Sequence, residues 1–130
     1  MISKNVKIAL VFTVIIISVY CFLIKLPFPL RKMDTQLHAI FYFSAAAFLN
    51  ILFYVKKLNT HFLIFGMLFL FSALIEFAQE FSNTMVKKRI HGNFDPVDLK
   101  YNLVGLTLFS IVWFIYFLKS TPINNVRTNE

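Results

Sequence analysis

Four long apolar runs, separated by short polar breaks, organise the sequence. Residues 8–24 carry no charge, and residues 37–55 contain one His and one Asn. Residues 62–81 are uncharged until Glu76, and residues 99–118 hold Lys100 and Asn102 near their start. Roughly 20 mostly apolar residues cross a bilayer core as a helix. The pattern therefore predicts four transmembrane helices, at about 6–26, 35–55, 61–82 and 97–118. They form a single membrane domain with one long loop at about 83–96 and a frayed tail at about 121–130. Short connections between such runs predict an all-α, integral-membrane, antiparallel bundle. A soluble bundle would need a polar stripe on each helix, and residues 8–24 and 62–75 have none. Strands of a membrane barrel would alternate apolar and polar positions, which these unbroken runs do not.

The breaks carry the punctuation. Pro27 and Pro29 in "KLPFPLRKM" are expected to stop the first helix and hold an extended path. Lys4 and Lys7 before the first run look like the start of a signal peptide. The run is longer than the usual signal core, however, and no small-residue cleavage site follows, so it is expected to stay as a span. "DPVD" at 95–98 predicts a helix start, with Asp95 at the N-cap, Pro96 at N1 and Asp98 at N3.

Composition follows from this layout. The chain is 58% hydrophobic, 15% charged and carries a net charge of +7. The basic residues stand at the ends of the runs, where they meet lipid headgroups, so the charge predicts a bilayer partner and no nucleic acid. The lone Cys21 excludes an intrachain disulfide. Four spans put both termini and the second connection on one side, with Lys4, Lys7, Lys56, Lys57, Lys119 and Arg127. The opposite side has Lys25, Arg31, Lys32, Lys87, Lys88, Arg89 and Lys100. Counting these charges does not separate the two sides. The amino terminus and the usual dominance of the first helix favour cytoplasmic termini.

Polar residues recur in helical pairs near the first and third connections. Asp34 and His38 are four apart, Glu76 and Gln79 three apart, and Asp98 and Asn102 four apart. Each pair shares a helix face. His38, Glu76 and Asn102 all fall roughly 6–8 Å inside their helix ends, at about 1.5 Å per residue. They predict a polar layer beneath one interface, with Arg89 and its basic neighbours in the loop above. An ionisable group at that depth faces the bundle interior or a watery cavity. Asp34 and Asp98 have a simpler reading as helix-start residues, and His38 and Asn102 as interhelical hydrogen-bonding residues. Asn50, Ser44, Thr13 and Ser110 read as packing residues, and Glu80 as an interface residue. Glu76 resists such readings, because a buried carboxylate is rarely kept for stability.

In this order these residues resemble the VanZ-like family of small bacterial membrane proteins. The resemblance rests on Asp34 and His38 opening one span, Glu76-Phe-Ala-Gln79-Glu-Phe81 closing the next, Arg89 in the loop, and Asp98-Leu-Lys-Tyr-Asn102-Leu-Val-Gly105 opening the last. It covers about residues 34–105. Thr35 stands where the family often has Lys, the loop is longer than usual, and Phe109 replaces a frequent second glycine. A GxxxG-type crossing is therefore not expected at Phe109. The resemblance implies a multi-pass protein of the bacterial cytoplasmic membrane, and the family's founding member is linked to resistance to the glycopeptide teicoplanin.

Three functions fit. In the first, Asp34, His38, Glu76, Gln79, Arg89, Asp98 and Asn102 bind or modify an envelope lipid, a lipid-linked glycan or an amphiphilic glycopeptide. In the second, the chain is an accessory subunit of a larger envelope complex, and the layer only fixes helix packing. In the third, Glu76 or His38 acts as a general base, with Asp98 orienting it and Arg89 stabilising developing charge. No cofactor and no metal are expected, since the spacing is not that of an H-E-x-x-H site.

Overall fold

The computed structural model describes residues 1–23, 27–86 and 94–121. Lys25, Lys87, Lys88, Arg89 and Arg127 lie outside the described residues, as does the expected tail from residue 122 onward. The described residues are helical and include no strand. The helices are α1 (Lys4–Leu23), α2 (Phe28–Arg31), α3 (Asp34–Leu52), α4 (Leu58–Val86) and α5 (Pro96–Ser120). All except α2 are long and apolar enough to cross a membrane.

Local chemistry accounts for the differences from the expected boundaries. The segment with Pro27 and Pro29 is not simply extended, because it contains the single helical turn α2. Pro27 caps it with extended backbone, and Pro29 sits in its first turn. A proline there loses no helical hydrogen bond, because first-turn amides have no intrahelical partner. Helix α3 ends at Leu52, earlier than expected, where Tyr54 adopts a positive φ of 54°. The chain turns there, and the Val55 amide donates to the Asn50 carbonyl at 3.0 Å. Helix α4 runs past its expected end to Val86, so Asn83, Thr84, Met85 and Val86 are helical rather than loop. Thr84 donates its hydroxyl back to the Glu80 carbonyl at 3.0 Å, a bond that helical backbone allows. Helix α5 opens with Asp95 at its N-cap, accepting from the Val97 amide at 2.8 Å.

Helices α3 and α5 form the principal packing pair, α4 packs on both, and α1 touches α4. Helices α3 and α5 approach closely at Gly105. A Cβ there would run into the Ala39 carbonyl group, whose carbon would lie only 2.9 Å away. One glycine against the α3 backbone suffices for the close crossing. Phe109, one turn on, packs edge-on against Phe43 at 5.6 Å. Around them Tyr42, Ala46, Leu106, Phe109 and Trp113 make the apolar core.

The burial pattern is inverted relative to a water-soluble domain. The buried residues include Ser18, His38, Asn50, His61, Ser72, Glu76, Gln79, Asp98 and Asn102. Phe12, Ile16, Phe62, Met67, Leu70, Phe77, Ile111 and Tyr116 face outward. Water would penalise so continuous an apolar surface, whereas hydrocarbon penalises unpaired polar groups and so drives them inward.

Candidate functional site

A stripe repeating every four residues on α3 builds one wall of the site. His38, Tyr42, Ala46 and Asn50 are the buried residues of that helix, and Asp34 begins the same stripe. The opposing wall is α5, through Asp98, Asn102 and Gly105. His38 Nδ1 lies 2.9 Å from Asn102 Oδ1. Because an amide oxygen only accepts, Nδ1–H is the donor. The ring is thereby turned so that Nε2 faces two carboxylates, Asp34 Oδ1 at 3.8 Å and Asp98 Oδ2 at 3.9 Å. Asp34 is the outward member, its side chain 42% exposed against 12% for Asp98. Phe22 from the end of α1 lies against the His38 ring, with centroids 5.0 Å apart.

Helix α4 contributes the stretch Glu76-Phe-Ala-Gln79-Glu80, whose polar groups tie neighbouring segments together. Glu76 Oε2 accepts from the Asp95 amide at 3.3 Å, and Glu80 Oε2 accepts from the Phe94 amide at 3.1 Å. Two carboxylates one turn apart thus hold the two residues that lead into α5. Gln79 donates to the Phe22 carbonyl at 2.8 Å, anchoring the end of α1. Glu80, expected only to reach the interface, therefore also has a structural partner.

Glu76 is fully enclosed, at 0% exposure, yet its Oε1 has no hydrogen-bond partner among the described residues. The Tyr42 hydroxyl is likewise buried and has no partner among them. Glu76 is within electrostatic reach of Asp98, His38 and Tyr42. A buried polar atom without a partner costs on the order of 1–3 kcal/mol. Two of them beside a histidine and two aspartates set this layer apart from an ordinary interhelical network. The structure thus brings His38, Asp34, Asp98 and Asn102 together. It places Glu76 beside them and turns Gln79 instead to the Phe22 carbonyl at the end of α1. Arg89 lies outside the described residues. The ligand atoms of Asp34, His38 and Asp98 all fall within 4.8 Å of one another, a spacing able to hold a cation.

A second polar cluster shows what a purely structural network looks like. His61 Nδ1–H donates to Asn50 Oδ1 at 2.9 Å, and Asn50 Nδ2 donates to the Ala46 carbonyl at 2.8 Å. His61 Nε2 pairs with Ser110 Oγ at 3.0 Å, and the ring stacks on Trp113 at 4.2 Å. Both ring nitrogens of His61 are satisfied. A cleft of about 360 Å³ opens beyond this cluster, lined by Val55, Lys56, Trp113, Tyr116 and Phe117 among others. This cleft lies away from the acidic layer, whose donor groups carry the candidate chemistry. Sequence reasoning missed Tyr42 and His61. Tyr42 was readable as the next member of the Asp34–His38 stripe, but His61 stands alone at the start of its run, with no polar residue one turn on, and carries no such signal.

Comparison with known protein families, with curated proteins and with solved structures gave no match.

Proposed function

We propose that the chain is a VanZ-like multi-pass protein of the bacterial cytoplasmic membrane. Its four spans run antiparallel with both termini in the cytoplasm, and its acidic layer binds the headgroup of an envelope lipid, a lipid-linked glycan or an amphiphilic glycopeptide. The inverted burial pattern supports the membrane setting. Pairing of Asn50 with His61, and of Glu76 with Asp95, supports reversal between successive spans. The observation that carries the binding role is Glu76, wholly enclosed with one carboxylate oxygen that has no partner among the described residues. Such an acceptor calls for a ligand bearing O–H or N–H donors, as sugar hydroxyls and amines do. Asp34, half exposed, stands where the layer meets the outside.

The near-complete enclosure of Asn102 and Glu76 favours a second reading, in which the layer fixes helix register in an accessory subunit of an envelope complex. Native mass spectrometry separates the two. Protein in phosphatidylglycerol nanodiscs containing a polyprenyl-diphosphate-linked disaccharide is expected to retain that lipid, and Glu76→Gln is expected to lose it. Equal retention by the variant would sink the binding role. A stoichiometric protein neighbour that remains bound to Glu76→Gln would support the second reading.

A further inference from the structure

We infer that Asp34, His38 and Asp98 form a binding site for one divalent transition-metal ion, with Glu76 as the adjoining carboxylate. Asn102 sets the orientation of the imidazole. By accepting from His38 Nδ1–H at 2.9 Å, it leaves Nε2 as the nitrogen that meets Asp34 and Asp98. In a neutral imidazole that nitrogen is a lone pair. A lone pair facing two carboxylates is repulsive unless something positive lies between them.

The distances suit a shared metal ion better than a proton. Charge-assisted N–H···O bonds contract to about 2.7–2.9 Å, whereas the two separations here are 3.8 and 3.9 Å. A single proton on Nε2 would bond one carboxylate and draw it in. Ligand atoms around a common ion instead stand apart from one another. A triangle with edges of 3.8 and 3.9 Å, and none above 4.8 Å, places its centre roughly 2.2–2.5 Å from each corner. That is slightly longer than zinc bonds to nitrogen and oxygen, and the half-exposed Asp34 carboxylate can move in to shorten it.

Three further features belong to such a site. Asn102 orients the ligating imidazole through its other nitrogen, as outer groups do around metal-bound histidines. Glu76, 0% exposed, has Oε1 without a partner among the described residues and within electrostatic reach of Asp98 and His38, where a cation or a cation-bound water would engage it. The exposed side at Asp34 leaves room for a coordination position not taken by protein, as in sites that bind a further ligand. A nitrogen donor among carboxylates favours Zn²⁺ over Mg²⁺ or Ca²⁺. The inference shares its residues with the headgroup reading but stands on donor geometry, so it does not need that reading to hold.

Zn²⁺ is the probe. Full-length protein carrying no polyhistidine tag, stripped with chelator in detergent without added glycolipid, is titrated with Zn²⁺ and desalted for metal analysis. One Zn²⁺ per chain is expected. His38→Gln and Asp98→Asn are expected to lose it, and Asn102→Ala to weaken it about ten- to a hundredfold. Asp34→Asn changes a half-exposed group and keeps the protein foldable, so its loss of binding is a test free of misfolding. His61→Gln keeps full binding, which excludes adventitious capture by histidine. Failure of the wild type to retain Zn²⁺, or retention undiminished in Asp34→Asn, would overturn the inference. Because no glycolipid is present, either result leaves the headgroup experiment to be judged by itself.

Discussion

His38 and Asn102 are 64 positions apart in the chain and meet at 2.9 Å, His38 donating Nδ1–H to the Asn102 amide oxygen across the α3–α5 interface. This one bond fixes which face of the imidazole looks toward Asp34 and Asp98. In bundles of this kind an interhelical pair contributes on average about 0.6 kcal/mol, reaching about 1.7 kcal/mol. A double-mutant cycle with His38→Phe and Asn102→Leu, read by thermal unfolding in detergent, is expected to give a coupling in that range. A coupling of zero would mean that the pair does not form.

Gly105 gives a sharper contrast, because Gly66 is its internal control. A methyl group at Gly105 meets the Ala39 backbone, which cannot move aside as a side-chain tip would. Gly105→Ala is expected to destabilise the protein by about 1–3 kcal/mol, as overpacking does. At Gly66 a methyl group meets nothing within 4 Å. Gly66→Ala is expected to be neutral or to stabilise by up to about 1 kcal/mol through helix propensity. Equal effects at the two sites would show that α3 and α5 do not cross at Gly105.

The His61 cluster is expected to act on stability alone. His61→Ala removes the stack on Trp113 and the partners of Asn50 and Ser110. The melting temperature should fall, while binding of Zn²⁺ and of the headgroup probe is unchanged. Loss of binding in this variant would show that the two polar clusters are not independent.

Much of this architecture could be read from spacing. The four apolar runs stand where the four long helices are, because hydrocarbon-length segments need no distant information to be recognised. The pairs Asp34–His38 and Asp98–Asn102 were readable because residues four apart share a face. Extending the first pair by another turn reaches Tyr42. Other features needed the third dimension. That Glu76 and Glu80 receive the amides of Asp95 and Phe94 depends on where the chain re-enters after the third connection. Pro27 and Pro29 signal a helix stop equally well in an extended segment and in the first turn of α2. The role of Gly105 depends on the carbonyl of Ala39, which no pattern around residue 105 reveals.

Topology is tested by cysteine labelling. In a Cys21→Ser background, Met33→Cys and Met85→Cys replace exposed residues near the first and third connections. Both are expected to react with a membrane-impermeant maleimide added to intact cells. Ser3→Cys and Lys57→Cys are expected to react only after permeabilisation. The reverse pattern would place the termini outside. Labelling of all four sites in intact cells would rule out an arrangement of four spans.

If the acidic layer is kept for binding rather than for register, Glu76→Gln separates the two most directly, when unfolding temperature and lipid retention are measured on the same nanodisc preparation. A glutamine oxygen can still accept from the Asp95 amide, so the link into α5 is kept while the carboxylate is removed. The variant is expected to unfold at about the wild-type temperature and no longer to retain the polyprenyl-diphosphate-linked disaccharide. A variant that retains the lipid as well as the wild type does would contradict the binding role.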